Sequence, residues 1–399
     1  MFLIQDGHHA RTGVEPAIDA GDADGVVWSL ADETPGSLDQ ALAAEWMARE
    51  GVVQAIDPQL YVAPLADANP KKLLDHELFS VPMRPRDFSA RNLVPLVESL
   101  IRFQADRPVT HLLAPTVSVG SMVDRWAGIA ADLADTALQT WSGMNDDRPM
   151  FVSVAIAESL LADPDNVDAI LDELTAYECD GFYLLFELDP STDPAQASAL
   201  FERALYIIHT LAKVNEYTVW VGYAGLNGYV YRAVGAQAFA GGWWQKQNWW
   251  SPRHWTPGGD GRAPRPRIWL ESILGSLLID TEVRLIDRQR ADSDLFADVL
   301  AGAGALAADF AAGRDFDDGY DRSEMSAQFF AVCSALDARI TGDVQTDLRR
   351  VLADITEAEA LYRRTRDAGI QVEWGIVRNA PVVWQSAIAT LDGRLGLGL

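Results

Sequence analysis

Lysine, cysteine and histidine are scarce in this chain, and each scarcity narrows what it can be. Four lysines (Lys71, Lys72, Lys213 and Lys246) stand among 399 residues, so the positive charge is nearly all arginine. Asp and Glu number 58 against 32 Lys and Arg, a formal net charge of −26. A field of that sign repels phosphate backbones, and no long basic stripe opposes it, which disfavours stand-alone nucleic-acid binding. The two cysteines, Cys179 and Cys333, have no Cys or His at ligand spacing. That argues against a disulfide framework and a structural zinc site, and both read as buried small hydrophobes. The histidines His8, His9, His76, His111, His209 and His254 form no H-x-H or H-E-x-x-H, which argues against a zinc hydrolase. His111 opens a strand and His209 sits mid-helix, so both read as structural. His254 alone is well placed for function.

Long apolar runs are missing too. Hydrophobic residues make up 49% of the chain, ample for a core, yet the mean hydropathy is −0.02 and charges interrupt the runs. No stretch reaches the ~20 apolar residues of a membrane span. The start, MFLIQDGHHARTG, lacks the basic region and longer apolar stretch of a secretory signal. These absences point to a cytoplasmic protein with no membrane partner. Walker A, G-x-S-x-G and Cys-x-x-Cys motifs are absent, which removes P-loop, α/β-hydrolase and thiol-redox readings. Nothing in the pattern asks for a cofactor or a metal. Asp315 to Glu324, DFDDGYDRSE, looks like a calcium loop, but Gly319 falls one position early and no Glu stands at the bidentate spacing. It reads as a solvated loop.

What is present is an alternation of short β-rich runs and longer helical stretches from Val26 onward, the pattern of βα units on a parallel sheet. The runs are 26–30, 52–56, 111–114, 150–156, 181–188, 218–222, 236–242 and 268–273. The second is uncertain in register, because Leu60-Tyr61-Val62-Ala63 is equally strand-like. A count of eight predicts a closed (β/α)8 barrel of the TIM type over residues 26–290. An open doubly wound parallel sheet is the alternative, since one miscounted strand breaks closure. Residues 1–25, rich in Gly and Asp, read as a cap segment or as an extra strand through Phe2 to Ile4.

From Ala291 the texture changes to Ala-rich helical stretches, 295–312 and 326–340. An amphipathic helix, 344–366, then places Leu348, Val351, Leu352, Ile355, Ala358 and Leu361 on one face. These predict a helical extension over 291–399, ending in two short strand-like segments around Trp374 and Trp384. Its apolar face offers a surface for a protein partner or a second copy of the chain.

In a barrel the chemistry sits where strands end and βα loops begin. That rule selects Asp57, Glu158, Glu187, Asp189, Tyr223 and Glu271. Paired carboxylates are what acid/base catalysis needs, and Glu158, Glu187, Glu271 and Asp57 are the catalytic candidates. Strand-end acids also cap helices or pair with arginine, so convergence of these groups is the deciding observation. For glycoside chemistry, carboxyl separations of ~5 Å or ~6.5–9.5 Å distinguish retention from inversion.

The most unusual segment is GGWWQKQNWWSPRHW, residues 241–255, which holds Trp243, Trp244, Trp249, Trp250 and Trp255, five of the chain's 13 tryptophans. Arg253 and His254 are interleaved with them. Tryptophan faces stack on sugar rings and nucleobases while amides and cations fix polar edges, and this loop follows a strand at the mouth. A plug for the barrel end is the structural alternative. Gly222, Gly225 and Gly228 do not match the dinucleotide fingerprint. With Gly235, Gly241 and Gly242 they leave phosphate binding and turn geometry both open. Two functions are therefore in view. One is an enzyme using carboxylates on a polar ring-bearing small molecule (a sugar, nucleobase or nucleoside), of hydrolase or glycosyl-transfer type. The other is a non-catalytic barrel serving as a scaffold subunit.

Overall fold

The computed structural model describes the chain apart from residues 8–10, 189–192, 257–264, 290–293, 317–318 and 371–378. Short parallel strands form a nearly closed eight-stranded barrel. They are β1 (Phe2–Gln5), β2 (Gly25–Ser29), β3 (Val53–Asp57), β4 (Leu112–Leu113), β5 (Met150–Ile156), β6 (Gly181–Phe186), β7 (Thr218–Val221) and β8 (Ala238–Gly241). Helices separate them in sequence and cover the outer face, so β5 is buried at every position and carries no polar alternation. The two-residue strand Ser118–Val119 adds to β5.

Closure lies between β8 and β1, with Leu3 opposite Ala240, while Ile4 on the same strand pairs with Val26 of β2. The two ends of the strand order, β3 and β4, then face each other, so the sheet is a nearly closed barrel and not an open doubly wound one. The loosest seam is β3–β4. There Gln54 O accepts from the Thr110 and His111 backbones at 2.9 and 3.1 Å, and Gln54 N donates to the Thr110 hydroxyl at 2.8 Å. His111 sits below this seam against the Phe151 and Trp220 rings, at 5.2 and 4.4 Å, and its burial pushes it down to about 4.

Two expectations are corrected. The barrel begins at Phe2: of the two readings of residues 1–25, the strand through Phe2 to Ile4 holds, and it is the barrel's first, so every later strand moves up one place. Residues 268–273 are correspondingly not its eighth strand. Arg267–Leu270 pairs antiparallel with Gly275–Leu278 in a separate hairpin. The physical reason is that β8 is already paired with β7 on one side and β1 on the other, leaving it no edge for a further parallel strand. Leu274, at φ 48°, takes the left-handed turn that reverses the chain. The hairpin seeds a second apolar cluster with Phe296, Phe310 and Tyr362. Leu60–Val62 is a 3-10 turn and not the second strand, which ends at Asp57.

The C-terminal helices pack on the barrel. Arg322–Asp337 brings Phe329 and Phe330 to 6.3 and 6.1 Å from Phe2 and fills the outer ring between helices Arg11–Ala20 and Asn227–Ala233. Val344–Asp367 buries Leu348, Val351, Ile355 and Ala358, and packs against Asn227–Ala233 and Asn379–Leu395. That last helix replaces the strand-like ending expected around Trp384. Its buried residues Trp384, Ala387, Ile388 and Leu391 recur at helical spacing, and Trp384 Nε1 donates to Asn227 at 2.8 Å. Trp374 lies outside the described residues. Cys333 is buried as expected, whereas Cys179 is half-buried. Among the described residues no helix is long and apolar enough to cross a membrane.

Because Phe2 joins β1 to β8 and to the closing helix, Phe2→Ala is expected to destabilise the chain by about 3–5 kcal/mol in denaturant unfolding. A loss below about 1 kcal/mol would mean that the first strand is a peripheral flap.

Candidate functional site

The carboxyl ends of the strands gather at one mouth, and the residues just past β1, β2, β3 and β7 make one buried polar network. Asp57 closes β3. Its Oδ1 accepts from the Gln59 backbone at 2.9 Å and its Oδ2 from the Tyr61 hydroxyl at 2.8 Å. The Gln59 side chain spans the mouth. It donates to the Ser29 hydroxyl at 2.7 Å and to the Tyr223 hydroxyl at 2.9 Å, and accepts from the Ala31 backbone at 2.7 Å. The Tyr61 and Tyr223 hydroxyls are 3.3 Å apart. Gln59 and Tyr223 hold left-handed backbones, φ 55° and 51°. Such conformations cost free energy in non-glycine residues and persist where surrounding structure imposes them, typically at functional sites.

Asp57 is 2% exposed. Burial, partly offset by the hydrogen bonds from Tyr61 and Gln59, lifts its carboxyl to about 7. A carboxyl titrating there can give or take a proton at neutral pH. Asp6, one residue past β1, accepts from the Ser29 backbone at 3.3 Å, and its Oδ1 has no hydrogen-bond partner among the described residues. Burial, then the charges of Glu33 and Asp32, push it well above the usual carboxylate range. Beside it Gln5 accepts from the Tyr183 hydroxyl at 3.1 Å, while its Nε2 is buried without a partner among the described residues.

The Trp-rich loop closes over this network. Gln247 Nε2 donates to Gln5 O at 3.1 Å, the Asn69 backbone donates to Trp255 O, and the Lys71 ammonium lies 4.8 Å from the Trp255 ring centre. Trp250 is buried, meets Tyr61 edge-on at 5.6 Å, and pairs through its backbone with Glu187. Trp243 and Trp244 form an edge-on pair at 5.1 Å, and Trp249 packs on His254 at 4.3 Å. These three tryptophans and His254 are half-buried, and Arg253 is exposed.

The other carboxylates divide. Glu158 and Glu187, half-buried on neighbouring strand ends, do come together. Glu187 Oε2 accepts from the Glu158 backbone at 3.3 Å, capping the short helix Glu158–Leu161, and Glu158 Oε1 accepts from Gln196 at 3.0 Å. Glu271 does not join them. It lies at the turn of the hairpin, outside the barrel, ion-paired to Arg339 and accepting from the Ala303 backbone at 3.1 Å. Its selection rested on the miscounted eighth strand. Asp189, like His8 and His9, lies outside the described residues.

Packing accounts for the glycines. A Cβ on Gly222 would lie 2.2 Å from the Tyr183 hydroxyl, and Gly225 turns at φ +51° against Asn248. Both support the mouth without pointing to a phosphate. Among the described residues no group of three or more His, Cys, Asp or Glu is arranged to hold a metal ion. Sequence reasoning missed Asp6, Ser29, Gln59 and Tyr61. Asp6 had a signal, since FLIQ-D mirrors VQAI-D at Asp57. Comparison with protein-family models finds no matching family, and comparison with curated proteins finds no match.

The Asp57 carboxyl also sets a pH dependence. Its folded value lies above its unfolded one, so its stabilising effect is complete below about pH 4 and is lost as the pH rises to about 7. The loss is on the order of 4 kcal/mol. Wild-type thermal midpoints should therefore fall relative to those of Asp57→Asn between pH 4 and pH 7, with a constant gap above. Parallel pH profiles for the two proteins would mean that Asp57 ionises normally.

Proposed function

We propose that the chain is an enzyme working at the barrel mouth by acid–base chemistry on a polar ring-bearing small molecule, a sugar, nucleobase or nucleoside. Hydrolysis or glycosyl transfer is the reaction class. The observation that carries this reading is Asp57, a strand-end carboxyl lifted to about 7 by its burial, with Trp250 packed on its hydrogen-bond partner Tyr61. Asp57 is the group that gives and takes the proton. Tyr61 donates to it and meets the Tyr223 hydroxyl, the two offering hydroxyls to a ring substituent, while Gln59 holds Asp57 through its backbone and Tyr223 through its side chain. Glu187 is the second carboxylate. It pairs through its backbone with Trp250, and Trp250 in turn meets Asp57's partner Tyr61 edge-on. The tryptophan loop supplies the ring-stacking faces, with His254 and Arg253 at its outer end.

Since Asp57 and its partners are covered, substrate enters when residues 242–256 lift, and their return excludes water from the reacting groups. The scaffold alternative draws less support, because the apolar face of Val344–Asp367 is turned onto neighbouring helices.

The test is turnover of 4-nitrophenyl glycosides and of purine and pyrimidine nucleosides by the full chain. Cleavage of at least one class is expected, with a limb of kcat near pH 7. Asp57→Asn should lower kcat by about 10²–10⁴, the usual contribution of a positioned acid or base. Absence of cleavage across the panel, or undiminished cleavage by a folded Asp57→Asn protein, overturns the reading.

A further inference from the structure

Three of the four lysines in this acidic chain meet at the mouth. Lys71 and Lys72 come from the loop after β3. The Lys71 ammonium pairs with Asp32 Oδ1 at 2.7 Å, and Lys72 donates to Asp32 O at 2.6 Å. Lys246 comes from the tryptophan loop, where its one polar contact among the described residues is the His254 carbonyl at 3.4 Å. Burial and the charge of Lys71 both lower the Lys246 value, and Asp32 acts on it in the opposite sense. Asp32 is in turn joined to the network, through the Ser29 hydroxyl at 3.2 Å and from there to Gln59.

The pairing of these cations is unusual for their surroundings. In a chain with 58 acidic side chains against 32 basic ones, carboxylates are abundant. Lys71 takes one. Among the described residues, Lys72 and Lys246 contact main-chain carbonyls and make no ion pair with a carboxylate. Lys246 instead feels a like charge from Lys71. Three ammonium groups thus share the single carboxylate of Asp32, a local concentration of cations on an otherwise negative molecule. Such a focus raises the local concentration of anions and steers them inward.

We infer that the molecule taken up at the mouth carries an anionic group, a phosphate or a carboxylate, which Lys72 and Lys246 hold at the rim while its ring lies beneath the tryptophan loop. This rests on the proposed reading for where the ring sits, and adds to it the charge of the substrate. Lys246 rides on the tryptophan loop and Lys72 on the loop after β3, so an anion held by both draws the two loops together over its own ligand.

The experiment follows quenching of the loop tryptophans in the full chain by paired probes. The pairs are uridine with uridine 5′-monophosphate, glucose with glucose 6-phosphate, and 4-nitrophenyl glucoside with 4-nitrophenyl glucuronide. In at least one pair the anionic member should bind at least tenfold more tightly. Raising salt from 50 to 500 mM should weaken that preference, and Lys246→Glu, a change at an exposed position, should abolish it. Lys72→Ala should reduce it, and Asp57→Asn should leave it in place. A preference for phosphates alone, or for the glucuronide alone, identifies which anion is taken. Equal binding of neutral and anionic members, no binding of any anionic member, or a preference that survives Lys246→Glu overturns the inference. Failure of the acid–base reading looks different: charge-selective binding persists, and turnover is absent or independent of Asp57.

Discussion

The pairing of Phe2–Ile4 with Phe239–Gly241 does two things at once. It closes the ring of strands, and it brings Gln5 and Asp6 from the start of the chain to the mouth built mainly by residues 29–61 and 183–255. Gln5 then reaches the Tyr183 hydroxyl, and its backbone carbonyl anchors Gln247 of the tryptophan loop. Without this pairing the loop would lose an anchor and Asp6 its contact with Ser29. The apolar side of the same strand is held by Phe329 and Phe330 from a helix more than 300 residues away in sequence. Closure, lid and outer ring thus share one four-residue strand.

The mouth sets charge against burial. Asp6 and Asp57 are removed from water, and among the described residues each is held by a few neutral donors and by no cation. A buried carboxyl without a cationic partner favours its protonated form. The lysines stand one shell further out, around Asp32. This separation keeps the inner carboxyls able to exchange protons, while the outer charge faces whatever approaches from solution. The two strained backbones at Gln59 and Tyr223 belong to the same arrangement, since both residues hold their side chains across the mouth.

Much of this was legible in the sequence, and its limits have physical causes. Seven of the eight β-rich runs correspond to barrel strands, and Asp57, Tyr223 and the tryptophan loop lie at the mouth as the strand-end rule placed them. The first strand was harder to see. FLIQ is four residues long and reads only as an extra strand, because its partners lie more than 20 residues away on one side and 230 on the other. IWLESI, by contrast, has every local mark of a strand, and its antiparallel pairing depends on a turn at Leu274. Missing one and admitting the other kept the count at eight while shifting its register, which promoted Glu271 and hid Asp6. Gln59 and Tyr61 were hidden differently. They lie in a turn past the strand, and only the closed ring brings Tyr223 to them.

The seam between β3 and β4 has a consequence of its own. Elsewhere round the ring, strands are joined by main-chain ladders, but here a Thr110 hydroxyl takes the place of one rung, and β4 contributes only Leu112 and Leu113. A junction with so few backbone contacts is where the wall separates at the lowest free energy. Asp57 stands three residues along β3 from Gln54, the residue that Thr110 holds. Brief parting of this seam would admit water from the side, a route for protons that bypasses the roof of tryptophans altogether. Amide exchange at Gln54 and Leu113 would then run ahead of exchange in β5 and β6, so that the barrel breathes along the staves nearest its acid.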